Sequence, residues 1–386
     1  MYRKTYVEVN LDNLTANIKE IKKTYPNYDY YFGVVKGNAY GHGIEVVNTL
    51  INAGINYIAA ATLDECLNIR KINNKIPILC LQPIHPKEVV ICAKNNITVT
   101  ITNLDFVRIM KNISLKEDLK IHLQLDVGMN RLGVKEQSDV EEILKTLKKE
   151  KNIFLEGIYT HFSTTGFIDN VYNKQAKKFK HLLANVDLKA IPIIHSFRSV
   201  TLIRQPKLDI CNGIRPGIIM YGYNQNINIP NNFKNKVKQF LKKTSYLPGT
   251  ELNLKPAFNL YSEIIEIKEV KQGEYVGYGL EYQAYEDMKI GIIAIGHGDG
   301  INKTGFNVLI NNKNYPLIGV PMMDMLAVHI DDYVKLHDKV TIIGENLKAE
   351  ELAKNLNATL YMLFNKITAR VPRVYLKNGE LFNEKQ

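Results

Sequence analysis

Short apolar runs alternate with amphipathic helical stretches from residue 30 to about 221, and this alternation limits the possible folds more than any other feature. YYFGVVK, NYIAAA, IPILCL, ITVTIT, LKIHLQLD, IFLEGIYTHF and IPIIHSF have the length and residue types of buried strands, and LDICNGIRPGIIMYG closes the series. Between them fall GIEVVNTLINAG, TLDECLNIRKI, VVICAKNN, LDFVRIMKNIS, VEEILKTLKKE and QAKKFKHLLANV, which read as helices. Strands that alternate with helices predict a parallel sheet. About eight candidates, many ending at polar residues, favour an α/β fold with a closed, TIM-like (β/α)8 barrel over a doubly wound sheet. Ahead of the series, TYVEVN alternates like a strand, and LDNLTANIKEIKKTY spaces Leu11, Leu14, Ile18 and Ile21 for a helix, with Asp12 or Asn13 as its N-cap.

The pattern changes near residue 225. NQNINIPNNFKNKVKQFLKKTSYLPGT is polar and reads as a loop, an insertion, or the last barrel helix plus linker. From 256 onward the runs are β-like, with NVLINNKNYPLIG as a hairpin turned by NNKN and LKAEELAKNL as a helix. The expected domains are a barrel over 11–253 and a mainly β domain over 254–386, joined by residues 1–10. The formal charge is +11, but the lysines are scattered beside asparagines, with no arginine-rich arm and no zinc-finger spacing. This describes a solvated surface and not a nucleic-acid binder. No apolar stretch is long enough to span a membrane. The N-terminus lacks a secretory pattern, and the four cysteines form no CxxC pair, so a reducing cytoplasm is expected. Cys66 and Cys211, in more polar settings, are the candidates for a reactive thiol.

Lys36 ends an apolar strand and precedes GNAYGHG. A lysine at a strand's C-terminal end in a barrel stands where chemistry occurs and could form a Schiff base, its pKa lowered by desolvation and nearby cations. Asp126, Asn130 and Arg131 follow one strand, His161 another, and His195, Ser196, Arg198 and Ser199 a third, with Arg215 in GIRPG. Convergence of such residues on one mouth is a stronger signal than any one of them. Ser199 offers a hydroxyl, and Gly217 lets its own N–H and that of Ile218 approach an anion such as a phosphate. Tyr278, in GYGLEY, could serve as acid or base. Lys36 and Tyr278 could supply the two faces that a racemisation needs.

These residues resemble those of the alanine racemase family, pyridoxal phosphate enzymes of fold type III with a barrel followed by a β domain. VVKGNAYGHG at 34–43 is the most specific piece. LDVGMNRLG at 125–133, HFSTTG at 161–166, IRPGIIMYG at 214–222, VGYG at 276–279, MDMLAV at 323–328 and RVPRVY at 370–375 follow in family order. The resemblance implies a two-base racemisation of L- and D-alanine that feeds D-amino acid and peptidoglycan precursor synthesis. It implies that Lys36 holds pyridoxal 5'-phosphate and works on the D-side, and that Tyr278, donated by the other subunit of a head-to-tail homodimer with shared active sites, works on the L-side. Tyr40, Ser199, Gly217 and Ile218 look like phosphate-site residues, and Arg215 like the partner of the pyridine nitrogen. His161 would help organise Arg215 and Tyr278. Arg131, and Met323 and Asp324 from the other subunit, look like groups at the substrate carboxylate. No metal is implied.

Several positions depart from the family pattern. Gln124 stands where many members have a carbamylated lysine, Arg198 replaces an asparagine, His297 a tyrosine, and Val320 an arginine. Ala369 stands where members that use alanine have a phosphate-bonding tyrosine that narrows the pocket. An alternative reading is therefore broader specificity, toward serine or toward basic amino acids such as lysine, ornithine or arginine. Related decarboxylases are disfavoured by VGYG and MDMLAV, barrel-only cofactor-binding proteins by the residues from 254 to 386 that carry Tyr278, and a non-catalytic regulator by the presence of both Lys36 and Tyr278.

Overall fold

The computed structural model describes residues 2–164, 170–224 and 250–382. The segment at 225–249, read above as a loop, insertion or helix, and the last two residues of HFSTTG lie outside the described residues. The first strand, β1 (Tyr6–Asn10), belongs to an antiparallel sheet treated below. Eight strands then close a parallel barrel: β2 (Tyr30–Val34), β3 (Tyr57–Ala60), β4 (Ile78–Cys80), β5 (Ile97–Ile101), β6 (Leu119–Leu125), β7 (Ile153–Thr160), β8 (Ile193–Arg198) and β9 (Gly213–Arg215). Closure is made by β9 on β2, with Tyr30 opposite Gly213 and Tyr31 opposite Ile214. The strands are buried on both faces, which is why they read as near-continuous apolar runs.

The helices follow their sequence signals. Leu63–Ile72 starts at a capping box in which Thr62 accepts from the Glu65 amide while the Glu65 carboxylate reaches back. The helix Leu11–Thr24 is capped differently from the expectation. It begins one residue before Asp12, and Asn10 Oδ1 accepts the Asn13 amide at 2.9 Å.

The second sheet has nine strands in the order β11-β14-β13-β12-β15-β10-β1-β16-β17. Its further members are β10 (Phe258–Val270), β11 (Met288–Ile293), β12 (Asn307–Ile310), β13 (Lys313–Ile318), β14 (Leu326–Ile330), β15 (Lys339–Ile343), β16 (Arg373–Lys377) and β17 (Glu380–Leu381). All pairings are antiparallel except β1 with β16. The predicted hairpin is β12–β13, but it turns on two residues, not four. Asn311 and Asn312 have φ of 50° and 63°, as a primed two-residue turn requires, so Lys313 and Asn314 join the strand. Two short helices follow, Ala349–Asn355 and Leu360–Lys366, the second not anticipated.

The chain divides into two compact units, one of Leu14–Gly37 and Ile44–Lys255, the other of Met1–Asn13, Asn38–Gly43 and Pro256–Gln386. Asn38–Gly43, which the sequence reading keeps in the barrel, clusters with the β unit. Among the described residues no helix is long and apolar enough to cross a membrane.

Candidate active site

Lys36 opens a helical turn, Lys36–Tyr40, at the C-terminal end of β2. Gly37, Asn38, Ala39 and Tyr40 have φ of 63°, 52°, 53° and 51°, so the turn winds in the left-handed sense. Glycine and asparagine tolerate this conformation, but Ala39 and Tyr40 each cost about 1–2 kcal/mol in it. Hydrogen bonds hold it in place. The Gly37 amide donates to Glu65 Oε1 at 2.7 Å, and His42 Nδ1 lies 3.1 Å from the Ala39 carbonyl and 3.0 Å from that of Tyr40. Arg373 Nε donates to the Gly41 carbonyl at 2.9 Å. A β-carbon at Gly41 would lie 2.3 Å from the Phe364 carbonyl oxygen, so only glycine fits there. The strained backbone is thus concentrated beside one lysine, Lys36.

The Lys36 side chain is open to solvent, yet the mouth walls shield its ammonium from bulk water. That desolvation, with Arg131 and Arg215 nearby, lowers its pKa, and Glu65 partly opposes the shift. A larger fraction is therefore the neutral, nucleophilic amine.

Arg215 ends β9 and is 4% exposed. Its Nη1 contacts His195 Nδ1 at 2.5 Å, and its Nη2 donates to the carbonyls of Thr160 and Ser196 at 2.7 and 3.0 Å. The Tyr159 ring lies 5.0 Å from its guanidinium carbon. Burial pulls its pKa down to about 10, so it stays charged at neutral pH. A guanidinium has five N–H donors. Among the described residues Nε–H and one Nη1–H are left for an acceptor, and the nitrogen of a pyridine ring fits that donor set.

Ser199 starts the helix Ser199–Arg204, and its Oγ accepts the Gly217 amide at 2.9 Å, which leaves the hydroxyl hydrogen to donate. Ile218 begins the turn Ile218–Tyr221 directly after it. Ser199, Gly217 and Ile218 thus form one cluster with anion-binding donors. His161 follows β7. Burial and the positive charges of Arg215, Arg198, Arg131 and Lys36 push its pKa down to about 2, so its imidazole is neutral. Arg131 is exposed and makes no hydrogen bond to another described residue. Gln124 does not serve it. Its Oε1 accepts from Tyr159 OH at 3.0 Å. His195, expected at a strand end, instead lies inside the barrel at the middle of β8 and is fully buried. Cys66 and Cys211 are also buried, against the expectation from their polar neighbours, and burial pushes Cys211 up to about 11.

Within the β unit, Tyr40 packs on Tyr361 with ring centroids 5.4 Å apart. Tyr278 is 72% exposed on a loop that starts at Gly277, with φ of 80°. Three segments carry the remaining candidates and are stitched together. The amides of His297 and Gly298 donate to the Met322 and Met323 carbonyls at 2.9 Å, and Thr368 Oγ1 donates to the Gly298 carbonyl at 3.0 Å. Arg370 bridges to Asp324 at 2.5 Å. Met323, Asp324, His297 and Ala369 therefore belong to one cluster, with Ala369 exposed in its turn.

Sequence models of the alanine racemase N-terminal and C-terminal domains match residues 9–225 and 257–375. The chain belongs to the alanine racemase family. The alanine racemase of Anoxybacillus flavithermus is 34% identical over 98% of this chain and 97% of its own. Alanine racemase 1 of Bacillus subtilis is 32% identical over 98% and 95%. The crystal structure of the Bacillus anthracis alanine racemase, which has bound L-Ala-P, superposes with a TM-score of 0.88 at 31% identity over 99% of this chain and 97% of that one.

Two residues of this racemase-family site escaped the sequence reading. Glu65, in the first turn of an amphipathic helix, reads as an ordinary surface acid, and only its position three residues after Thr62 hints at a special contact. Glu156 lies in the strand IFLEGIYTHF, where a charge among apolar residues is itself the signal.

Proposed function

We propose that this chain is a pyridoxal phosphate-dependent racemase that interconverts L- and D-alanine. Full-length similarity to alanine racemases supports this reading, and the observation that carries it is the pairing of a desolvated Lys36 with the buried Arg215 donor set at one barrel mouth. Lys36 Nζ would hold the cofactor, with Ser199, Gly217, Ile218 and Tyr40 on its phosphate and Arg215 facing its ring nitrogen. The bound cofactor supplies an electron sink for the negative charge left when the α-proton departs. A charged Arg215 gives no proton to the ring nitrogen, which keeps that sink weak and disfavours side reactions.

Lys36 Nζ takes or returns the proton on one face of the α-carbon, and Tyr278 OH does so on the other. Arg131 and, from a second copy of the chain, the Met323 amide orient the substrate carboxylate, with Asp324 beside that amide. His161, neutral, adds no charge to an already cationic mouth. Tyr278 reaches the reacting carbon from a second copy of the chain in a head-to-tail dimer. Its loop supports this. Tyr278, Leu280, Met323 and Met325 are exposed on segments that Gly319 brings together by approaching the Val276 carbonyl. Such an apolar patch suits an interface. Four buried free thiols suit the cytoplasm, where they stay reduced. The test is exchange of the alanine α-proton for solvent deuterium with inversion, using the protein loaded with pyridoxal phosphate. Absence of both exchange and inversion would overturn the reading.

A further inference from the structure

A row of buried polar groups runs through the barrel interior behind Arg215. Its Nη1 meets His195 Nδ1 at 2.5 Å, His195 Nε2 meets His122 Nδ1 at 2.9 Å, and His122 Nε2 meets Glu156 Oε2 at 3.3 Å. Both rings are fully buried. His195 is stacked between Phe32, at 4.4 Å and 13°, and Tyr159, at 4.7 Å and 19°. The His122 ring lies over Gly157, where a β-carbon would come within 2.7 Å of it. Neither ring has room to turn.

The two ends of the row fix every hydrogen in it. Around Glu156, Lys120 Nζ lies 2.9 Å from Oε1, and Tyr57 OH, at 2.6 Å, and Thr98 Oγ1, at 3.3 Å, lie on Oε2 beside His122; the two hydroxyls are also 2.6 Å apart, so one donates to the carboxylate and the other to its neighbour. An ionised Glu156, which can only accept, suits this set of neighbours. Burial works against its ionisation, but the hydrogen bonds from His122, Tyr57 and Lys120 prevail and hold it at about 2. Facing it, His122 Nε2 must carry a hydrogen. At the other end a guanidinium can only donate, so His195 Nδ1 must be bare. Burial keeps both imidazoles neutral. Each then has one hydrogen, and one arrangement satisfies all three contacts. Arg215 donates to His195 Nδ1, His195 Nε2–H to His122 Nδ1, and His122 Nε2–H to Glu156. A second hydrogen on His122 would push the reversal through His195 and set N–H against N–H at Arg215.

We infer that Glu156 is a positioning residue for Arg215, acting through the tautomers of His122 and His195 so that the guanidinium always faces an acceptor. The tautomer assignment stands on the contacts along the row and on the neutrality of the two buried rings, and needs no assumption about the reaction. Its consequence for catalysis rests on the racemase reading, in which Arg215 faces the cofactor's ring nitrogen. With Gln at 156, an amide NH2 can face His122, so the reversed arrangement is opposed only at Arg215 and the guanidinium's acceptor is held less firmly.

Neutron diffraction on cofactor-free crystals of the full chain should show deuterium on Nε2 of both histidines, and none on either Nδ1 or on Glu156. Deuterium on His195 Nδ1 or on the Glu156 carboxyl overturns the inference without reference to activity or to the folding of any variant. Loaded with pyridoxal phosphate, Glu156→Gln should lower kcat and weaken cofactor affinity, each by roughly tenfold as for other residues that orient a ligand through a neighbour, with KM changed less than about twofold, and Glu156→Asp should recover part of the loss. Unchanged kcat and cofactor affinity in a folded Glu156→Gln overturn the positioning role. A wild type with the expected tautomers and no racemase activity would refute the functional reading and leave the tautomer assignment in place.

Discussion

The Glu65 carboxylate accepts the Gly37 amide at 2.7 Å, and so ties the residue after Lys36 to a helix 28 positions along the chain. Its other oxygen accepts the Ala61 amide at 2.7 Å. One carboxylate therefore caps a helix, holds the first residue of a left-handed turn, and offsets part of the positive field on Lys36. A glutamine cannot do all three, because its NH2 would face an N–H. Glu65→Gln should cost about 1–2 kcal/mol in stability, as lost caps do. It should also lower the Lys36 pKa further, since an anion that favours the ammonium is gone. The pH midpoint for attachment of pyridoxal phosphate to the cofactor-free protein should move down. A midpoint that stays put or rises would show that Glu65 does not act on Lys36.

The buried histidines predict a sharp acid limit to stability. Burial, the largest cause in each case, lowers the pKa of His42 to about 3 and of His161 to about 2, and lowers those of His122 and His195 as well. The unfolded chain takes up a proton at each near pH 6.5, and the native state does not. Their stabilisation is thus complete above pH 6.5 and is lost as pH falls toward the folded values. At pH 5 His42 and His161 each account for up to about 2 kcal/mol, and His122 and His195 add losses of the same sign. Glu156, also depressed, adds a loss that begins below about pH 4.3. Urea midpoints measured from pH 8 to pH 5 should fall steeply below 6.5, and a flat profile would contradict the neutral assignments.

The barrel was legible because its strands are buried on both faces, so YYFGVV and ITVTI carry uninterrupted apolar signals. What the sequence concealed is mostly a matter of direction and depth. GNAYGHG announces an unusual loop, but nothing in those letters says that Ala39 and Tyr40 adopt positive φ, between a Gly37 amide held by Glu65 and a Gly41 carbonyl held by Arg373. His195 reads as a strand-end residue if the strand stops at IPII, although IPIIHSF as a whole has the residue types of a strand. The strand in fact continues to Arg198, and the ring between Phe32 and Tyr159 is interior. The Asn10 cap was missed because Asp12 and Asn13 are equally good capping types, and only the path of the chain out of β1 chooses among them. Lys36, Arg215 and Ser199 needed no such information, because each sits at the end of an apolar strand or in a glycine-rich turn.

Lys36 and Tyr278 should separate cleanly by substitution. Lys36→Ala should abolish racemisation together with the visible absorbance of the covalently held cofactor. Absorbance that persisted would mean another lysine carries it. Tyr278→Phe should keep the absorbance and lose at least a hundredfold in activity, the usual range for a general acid or base. Because Tyr278 is assigned to a second copy, mixing inactive Lys36→Ala with inactive Tyr278→Phe should restore activity in hybrid dimers, each of which contains one intact site. Mixtures that remain inactive after subunit exchange would remove the shared-site proposal.

Ala369 bears on which amino acid is turned over. It lies exposed in the turn between Thr368, bonded to the Gly298 carbonyl, and Arg370, bridged to Asp324, so its backbone is fixed while its side chain leaves open space. The same cluster carries Met323, proposed at the substrate carboxylate. A tyrosine there would add a phenol without disturbing those contacts, and would narrow whatever space the substrate side chain occupies. The wild type should therefore accept serine and larger side chains with relative kcat/KM within about 10–200-fold of alanine, the modest discrimination that added apolar room provides. Ala369→Tyr should lower kcat/KM for lysine and arginine by roughly tenfold or more while sparing alanine. Racemisation rates for both enantiomers of alanine, serine, lysine and arginine, measured on wild type and variant, decide it. If alanine is already preferred by more than a thousandfold in the wild type, another side chain fills the space and Ala369 does not set specificity.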